Sequence, residues 1–265
     1  MRPYFLNVGT AGQQRPLALS HRGFSPEGYE NTMAAFTAAI AQGFAFLEID
    51  VRTSRDGVVM VFHDERLDRV TDGTGRVADL TAAELGELRV GGHEGIPTLE
   101  EVLRRWPTIR LNVDIKDDAA VVPFVHLIER LQAHDRVLVA AFSDRRRRKV
   151  LRGLSRPVAS SAGMFANGLV KVLSPLRLTH VVATLARIDC IQVPLTFHGM
   201  NVVTPGFVKR CRRAGLPVHV WTINDPAVMR RLLDIGVDGL ISDRADLLSR
   251  VMEERGLWPQ TPAKS

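Results

Sequence analysis

Phe46-Leu47-Glu48-Ile49-Asp50-Val51 reads as an extended segment that is apolar along both faces yet carries two carboxylates two residues apart. Side chains alternate along a strand, so Glu48 and Asp50 leave by one face and Leu47, Ile49 and Val51 by the other. Strands of this kind belong to parallel sheets covered by helices. Eight more runs share the character: Leu17–Ser20, Val58–Phe62, Leu111–Ile115, Val137–Ala141, Val158–Ser161, Cys190–Val193, Val218–Trp221 and Gly239–Ser242. Amphipathic stretches lie between them at Thr32–Gln42, Leu99–Trp106, Ala119–Ala133, Arg145–Leu154, Pro205–Ala214, Pro226–Ile235 and Ala245–Arg255. Several ends are legible. Ser143 or Asp144 can cap the helix at Arg145, Asp225 precedes Pro226 at a first turn, and Gly215 and Gly236 stand where helices stop on a left-handed residue.

Repeated βα units without a linker-like change in composition predict a single α/β domain over residues 1–265, a closed (β/α)8 TIM barrel. A doubly wound sheet is the weaker alternative, because no GxGxxG follows the first strand. Residues 63–98 interrupt the rhythm with the turn-rich HDERLDRVTDGTG and GGHEGIP, around a short helical ADLTAAELGEL. They are expected to form a small insertion after the second barrel strand. Segment 163–189 has two readings: Phe165, Leu169, Val170, Leu173 and Leu176 form either a core helix face or an exposed apolar lip. Residues 257–265 are expected to be a tail, with WPQTPAKS disordered.

Composition narrows the class. With 265 residues, 45% hydrophobic and 24% charged, the chain can bury a sizeable core, which excludes disorder and a disulfide mini-scaffold. Two cysteines, Cys190 and Cys211, make no framework, so a reducing, cytoplasmic location is expected. No apolar run is long enough for a membrane span, and MRPYFLNVGTAGQQRP does not read as a signal peptide. Thirty Arg against five Lys hints at a GC-rich bacterial genome. The formal charge of +6 divides unevenly: residues 1–135 hold 14 Lys+Arg and 20 Asp+Glu, whereas residues 136–265 hold 21 and 9. That split suits a nucleic-acid tail, or a site combining metal-binding carboxylates with anion-binding cations.

Barrel enzymes work at the C-terminal ends of their strands. Those ends read Ser20-His21-Arg22-Gly23, Glu48-Ile49-Asp50, His63-Asp64, Asp114-Ile115-Lys116, Gln192, Trp221-Thr222-Ile223-Asn224 and Ser242-Asp243. Charged groups there are costly to place in a core without purpose. Glu48, Asp50 and Asp114 converging without a counter-ion would repel, and oxygen ligation at that charge suits Mg²⁺ or Ca²⁺. The plainer reading pairs Glu48 and Asp50 with Arg52, Arg22 or Lys116. His21 and His63 have the ordinary titration range of a general acid and base. Arg22 and Lys116 can hold a phosphate oxygen. Trp221 offers a stacking wall or is a packed barrel-end aromatic, with Asn224 nearby. Glu30 and Asn31 either reach the site or cap a helix, Gln192 lines the barrel, and Asp243 either orients Arg22 or Lys116 or caps a loop.

These residues together resemble the glycerophosphodiester phosphodiesterase family, over roughly residues 17–251. The motifs are His21-Arg22-Gly23, Glu30-Asn31-Thr32, Glu48-Ile49-Asp50-Val51, Val61-Phe62-His63-Asp64, Thr71-Asp72-Gly73-Thr74-Gly75, Ile96-Pro97-Thr98-Leu99-Glu100-Glu101, Asn112-Val113-Asp114-Ile115-Lys116, Val220-Trp221-Thr222-Ile223-Asn224 and Gly236–Asp243. The resemblance implies a TIM barrel, a divalent cation at Glu48, Asp50 and Asp114, acid–base histidines at His21 and His63, and phosphate contacts from Arg22 and Lys116. It implies hydrolysis of a glycerophosphodiester to glycerol phosphate and an alcohol, with water attacking, or with the glycerol 2-hydroxyl attacking to give a cyclic phosphate that water then opens. The family's third metal ligand is commonly Glu. Asp114 in that place is similar to the sphingomyelinase D-like enzymes, which opens a lysophospholipase D-like or sphingomyelinase D-like reading on lipids, with peripheral membrane contact. A non-enzymatic alternative, a binding module for an anionic surface or nucleic acid with a vestigial site, rests on the basic half. The run Arg145-Arg146-Arg147-Arg148-Lys149 is read as a solvated helix face instead, so no nucleic-acid partner is expected.

Overall fold

The computed structural model describes residues 2–5 and 16–260. Eight parallel strands make a ring: β1 (Leu17–His21), β2 (Phe46–Thr53), β3 (Arg110–Ile115), β4 (Val137–Ala140), β5 (Ala159–Ser160), β6 (Ile191–Pro194), β7 (Val218–Trp221) and β8 (Gly239–Ser242). They pair in the order β5-β4-β3-β2-β1-β8-β7-β6. An isolated parallel bridge from Ser161 to Cys190 joins the two ends, so the sheet closes as the sequence predicts. Helices α1 (Met33–Ala41), α2 (Ala82–Glu87), α3 (Leu99–Arg105), α4 (Val121–Leu131), α5 (Asp144–Gly153), α6 (Met164–Leu173), α7 (Thr179–Ala186), α8 (Pro205–Arg213), α9 (Pro226–Asp234) and α10 (Ala245–Glu253) complete the layer.

The alternation in β2 is realised in the packing. Leu47, Ile49 and Val51 join the core between sheet and helices, whereas Phe46 points into the barrel with Leu19, Leu138 and Ile241. Tyr4 and Phe5, on a short 3-10 turn, close the barrel floor: Tyr4 packs edge-on to Phe46 at 5.4 Å and Phe5 edge-on to His219 at 6.1 Å. Above the floor lies a polar layer in which the Asn112 amide donates to Gln192 at 3.3 Å and Gln192 Nε2 meets His219 Nδ1 at 3.4 Å. The expected helix signals hold. Ser143 accepts from the Arg146 amide, Asp225 from Ala227 and Val228, and Gly215 and Gly236 have φ of +68° and +84°.

Four expectations need correction. Val58–Phe62 is not a ring strand: Val59–Val61 runs antiparallel to β2, pairing Val51 with Val61 and Thr53 with Val59. The turn Ser54–Val58 between them is too short for the crossover that a parallel pair needs. The hairpin leads into the insertion, which keeps its own apolar cluster of Met60, Phe62, Leu67, Val77, Leu85, Val90 and Ile96. Residues 257–260 are no loose tail. Trp258 donates to the Gln42 carbonyl and Gln260 bridges Pro16 and Ala18 beside β1, while 261–265 lie outside the described residues. Segment 163–189 divides: Val170 is buried, Leu169 and Leu173 are half-buried, and Phe165 and Leu176 are exposed.

The basic run on α5 also departs from a solvated face. Arg145 and Arg148 are exposed, but Arg147 is wholly buried. Consecutive helical residues radiate around the axis, and Arg147 falls three residues before Val150 on the buried face. Its guanidinium donates to the Ala186 and Arg187 carbonyls at 2.7 and 2.9 Å, to Ser160 Oγ at 2.9 Å and to Asp144 at 3.2 Å. It thus serves the orphan carbonyls at the C-terminus of α7, where a cation also opposes the helix dipole favourably. Arg147→Ala is expected to cost about 3 kcal/mol in denaturant unfolding, because it strands these buried acceptors. A loss within the range of exposed Arg148→Ala would contradict that role.

Candidate active site

Register fixes the site. His21 stands beside Glu48, Glu48 beside Asn112, and Asp50 beside Asp114 on adjoining strands β1, β2 and β3. After His21 the chain turns sharply through Arg22 and Gly23, at φ of +56° and +84°. A Cβ on Gly23 would lie 2.7 Å from Ala35 of α1, so only glycine lets this turn pack and hold Arg22 inward.

Asp50 is the hub. Arg22 Nε lies 2.9 Å from Oδ2, Lys116 Nζ 2.8 Å from Oδ1, and the Asn31 amide donates to Oδ2 at 3.0 Å. Burial works against its charge, but Lys116 and Arg22 outweigh that and hold its carboxyl below the usual range. Lys116 also reaches Asp114 at 2.6 Å, so one ammonium bridges two facing carboxylates. Glu48 fares differently: burial, reinforced by the Asp50 charge, pushes its pKa up to about 8. Glu48 Oε2, Asp114 Oδ1 and Asn112 Oδ1 are buried without hydrogen-bond partners.

Both histidines are held by Nδ1. His21 Nδ1 lies 2.5 Å from Asp243, whose other oxygen accepts from Asn224 at 2.8 Å. His63 Nδ1 lies 2.5 Å from Asp64, which pairs with Arg69. Arg69 grips Glu30, and Glu30 accepts from Arg22 at 2.9 Å, so the insertion is wired back to Asp50. Burial opposes protonation of His21, yet Glu48 and Asp243 overcome it and raise its pKa. Burial dominates at His63 and lowers it.

A cavity of about 350 Å³ gathers His21, Arg22, Glu48, Asp50, His63, Asp114, Lys116, Gln192 and Trp221. Trp221 is both wall and packing, edge-on to Phe142 at 6.0 Å. Glu30 and Asn31 reach the site, and the cap of α1 falls to Thr32. Arg52 leaves the carboxylates and donates to the His63 carbonyl. Asp243 orients His21, not Arg22 or Lys116. The sequence reading missed Arg69 and the apolar wall of Phe142, Met164 and Phe197. Arg69 follows His63-Asp64 by five residues in the irregular insertion, and no periodicity marks it.

The donor set suits a hard divalent cation: the carboxylate oxygens Glu48 Oε2 and Asp114 Oδ1 are buried without hydrogen bonds, and Glu48 is unwilling to ionise alone. With Lys116 between Asp50 and Asp114, no group of three or more His, Cys, Asp or Glu among the described residues is drawn together as a metal cage.

Buried carboxylates, two cations and two carboxylate-held imidazoles thus meet at the mouth of the barrel. Residues 21–247 match the glycerophosphoryl diester phosphodiesterase family, and the chain belongs to it. It is 43% identical over 244 residues to a probable glycerophosphodiester phosphodiesterase 2 of Mycobacterium tuberculosis, covering 91% of this chain and 92% of that one. It is 26% identical to human lysophospholipase D GDPD1, covering 85% and 82%. An Oleispira antarctica phosphodiesterase, solved in complex with sn-glycerol-3-phosphate, superposes with a TM-score of 0.74 at 24% identity, covering 90% and 97%. The chain is therefore an enzyme, which displaces the reading as a binding module. No helix among the described residues is long and apolar enough to cross a membrane.

The Glu48 shift has a stability consequence. Between the ordinary 4.5 and about 8 the folded state binds a proton that the unfolded state has released, so stability falls as pH rises across that window. Without added cation, Glu48→Gln should melt higher than wild type, with the gap widening from pH 5 to pH 8. A constant gap would show that Glu48 ionises freely in the fold.

Proposed function

We propose that this chain hydrolyses a glycerophosphodiester to glycerol phosphate and an alcohol, using a divalent cation and two histidines. The observation that carries the reading is the paired arrangement of His21 and His63, each with Nδ1 on a carboxylate and both lining one cavity with Arg22 and Lys116. Nδ1 being engaged, Nε2 is the ring nitrogen left to move a proton. Opposite pKa directions favour His21 as donor and His63 as acceptor. His63 takes a proton from the attacking water as the water oxygen bonds phosphorus; where the glycerol 2-hydroxyl attacks instead, the same transfer gives a cyclic phosphate that water then opens. The bond from phosphorus to the leaving oxygen breaks, and His21 protonates that oxygen. Arg22 and Lys116 steady the phosphoryl oxygens as charge builds on them. A cation held by Glu48, Asp50 and Asp114 would neutralise the carboxylates and add to that stabilisation. Glycerol phosphate in the Oleispira relative is consistent with the product side of this reaction.

A second reading on lysolipid diesters is favoured by the apolar wall of Phe142, Met164 and Phe197, and by the name of the human relative. A panel of glycerophosphocholine, glycerophosphoinositol, lysophosphatidylcholine and a generic diester, each with Mg²⁺, Ca²⁺ or EDTA, separates the two. The expected result is hydrolysis that EDTA abolishes and one cation restores; turnover untouched by EDTA overturns cation dependence.

His21→Ala and His63→Ala are each expected to lower kcat by about 10²–10⁴. Near-normal rates in both variants would defeat the assignment. The rate should fall on the acid side as His63 gains a proton and on the alkaline side as His21 loses one. Asp243→Asn, by removing a charge that favours protonated His21, should move the alkaline limb to lower pH, and an unmoved limb would argue against His21 as donor.

A further inference from the structure

Helix α6 is apolar on both faces: Ala166 and Val170 are buried in the core, yet its outer face is apolar too. Its polar side chains turn inward: Asn167 donates to the Ala162 and Gln192 carbonyls, and Lys171 donates to the Val202 carbonyl beside the Phe207 ring. Its solvent face carries Met164, Phe165 and Val172, and the following turn adds Leu176; Phe165 and Val172 are 72% and 71% exposed. Adjoining α7 exposes Val181 and Leu185, one turn apart. Of the eleven large hydrophobic side chains exposed among the described residues, ten lie between Phe142 and Met200. Concentration on that scale marks a contact surface.

The charge around the patch selects its partner. From Arg145 to Asn224 the sequence holds 14 Lys and Arg against a single acid, Asp189. Arg145, Arg148, Arg177 and Arg187 are all exposed on or beside the same helices. A second copy docking by this face would bring like charge against like charge. An anionic lipid surface meets both features, apolar side chains entering the interface and cations meeting headgroups. The patch also runs into the cavity, since Phe142, Met164 and Phe197 are exposed and line it too.

We infer that the outer face of α6 and α7, with the rim at Phe142 and Phe197, docks this protein on anionic lipid bilayers with the cavity mouth toward the membrane. The significance of the mouth rests on the hydrolase reading; the docking itself does not.

The test is co-sedimentation of the whole chain with vesicles of phosphatidylcholine alone and of phosphatidylcholine mixed with phosphatidylglycerol, at low and high salt. Binding should be at least tenfold stronger to the anionic vesicles, and should weaken with salt. F165E/L176E and, separately, R145E/R148E should each cut it at least tenfold, while F165L retains it. Hydrolysis of soluble glycerophosphocholine should be unchanged in all three variants, and circular dichroism confirms their folding. Wild type sedimenting no more than F165E/L176E overturns the inference, as does a dimer in ultracentrifugation that F165E/L176E dissociates while vesicles bind neither form. A chain that docks but hydrolyses no diester overturns the proposed function alone.

Discussion

Two carboxylates facing each other across neighbouring parallel strands set the terms for this barrel mouth. Asp50 and Asp114 share a register position, and no rearrangement short of slipping β2 against β3 can separate them. Slippage would turn Leu47, Ile49 and Val51 out of the outer core, so the packing that makes the barrel also enforces the repulsion. Positive charge must then be supplied locally. Lys116 does so from the end of β3 itself, and Arg22 from the turn after β1.

The compensation is incomplete, and its incompleteness is chemically useful. Asp50 receives two cations and an amide, while Glu48 receives only His21 at 3.6 Å and stays reluctant to ionise. An ordinary core would fill this region with apolar side chains. This mouth instead retains its charges, and Glu48 Oε2 and Asp114 Oδ1 stay buried without hydrogen bonds. Stability is given up at this mouth, and the remainder of the barrel, buried along both faces of every strand, supplies it.

The strand ends were legible because a charged residue in an apolar run has few structural explanations. Hence His21, Glu48, Asp50, Asp114 and Lys116 stood out from sequence alone, and the structure brings them together. Partners of partners were not legible. Asp243 joins His21 across 222 positions of sequence, and Arg69 joins Glu30 across 39. Such pairs depend on barrel closure and on the fold of the insertion, neither of which leaves a periodic trace. Arg147 misled for a related reason: a charge run looks uniform in sequence, but a helix samples every direction, and one arginine of the run met buried carbonyls.

The inward donors of α6 follow from the same closure. Helices around a barrel usually bury an apolar stripe and expose a polar one. The bridge between β5 and β6 is the thinnest part of this ring, a lone pairing of Ser161 and Cys190, and carbonyls at the nearby strand ends lack ladder partners. Asn167 satisfies the Gln192 and Ala162 carbonyls there, and Lys171 satisfies Val202 just after the short antiparallel pair Thr196–Phe197 and Met200–Asn201 that follows β6. These demands place the only two side chains of α6 with strong donors on its inner face. They do not dictate what faces solvent. Serine, glutamate or lysine at positions 165 and 172 would have answered the barrel's needs equally well. The outward phenylalanine and valine are therefore not a by-product of closing the ring, and they require a separate physical reason at the surface itself.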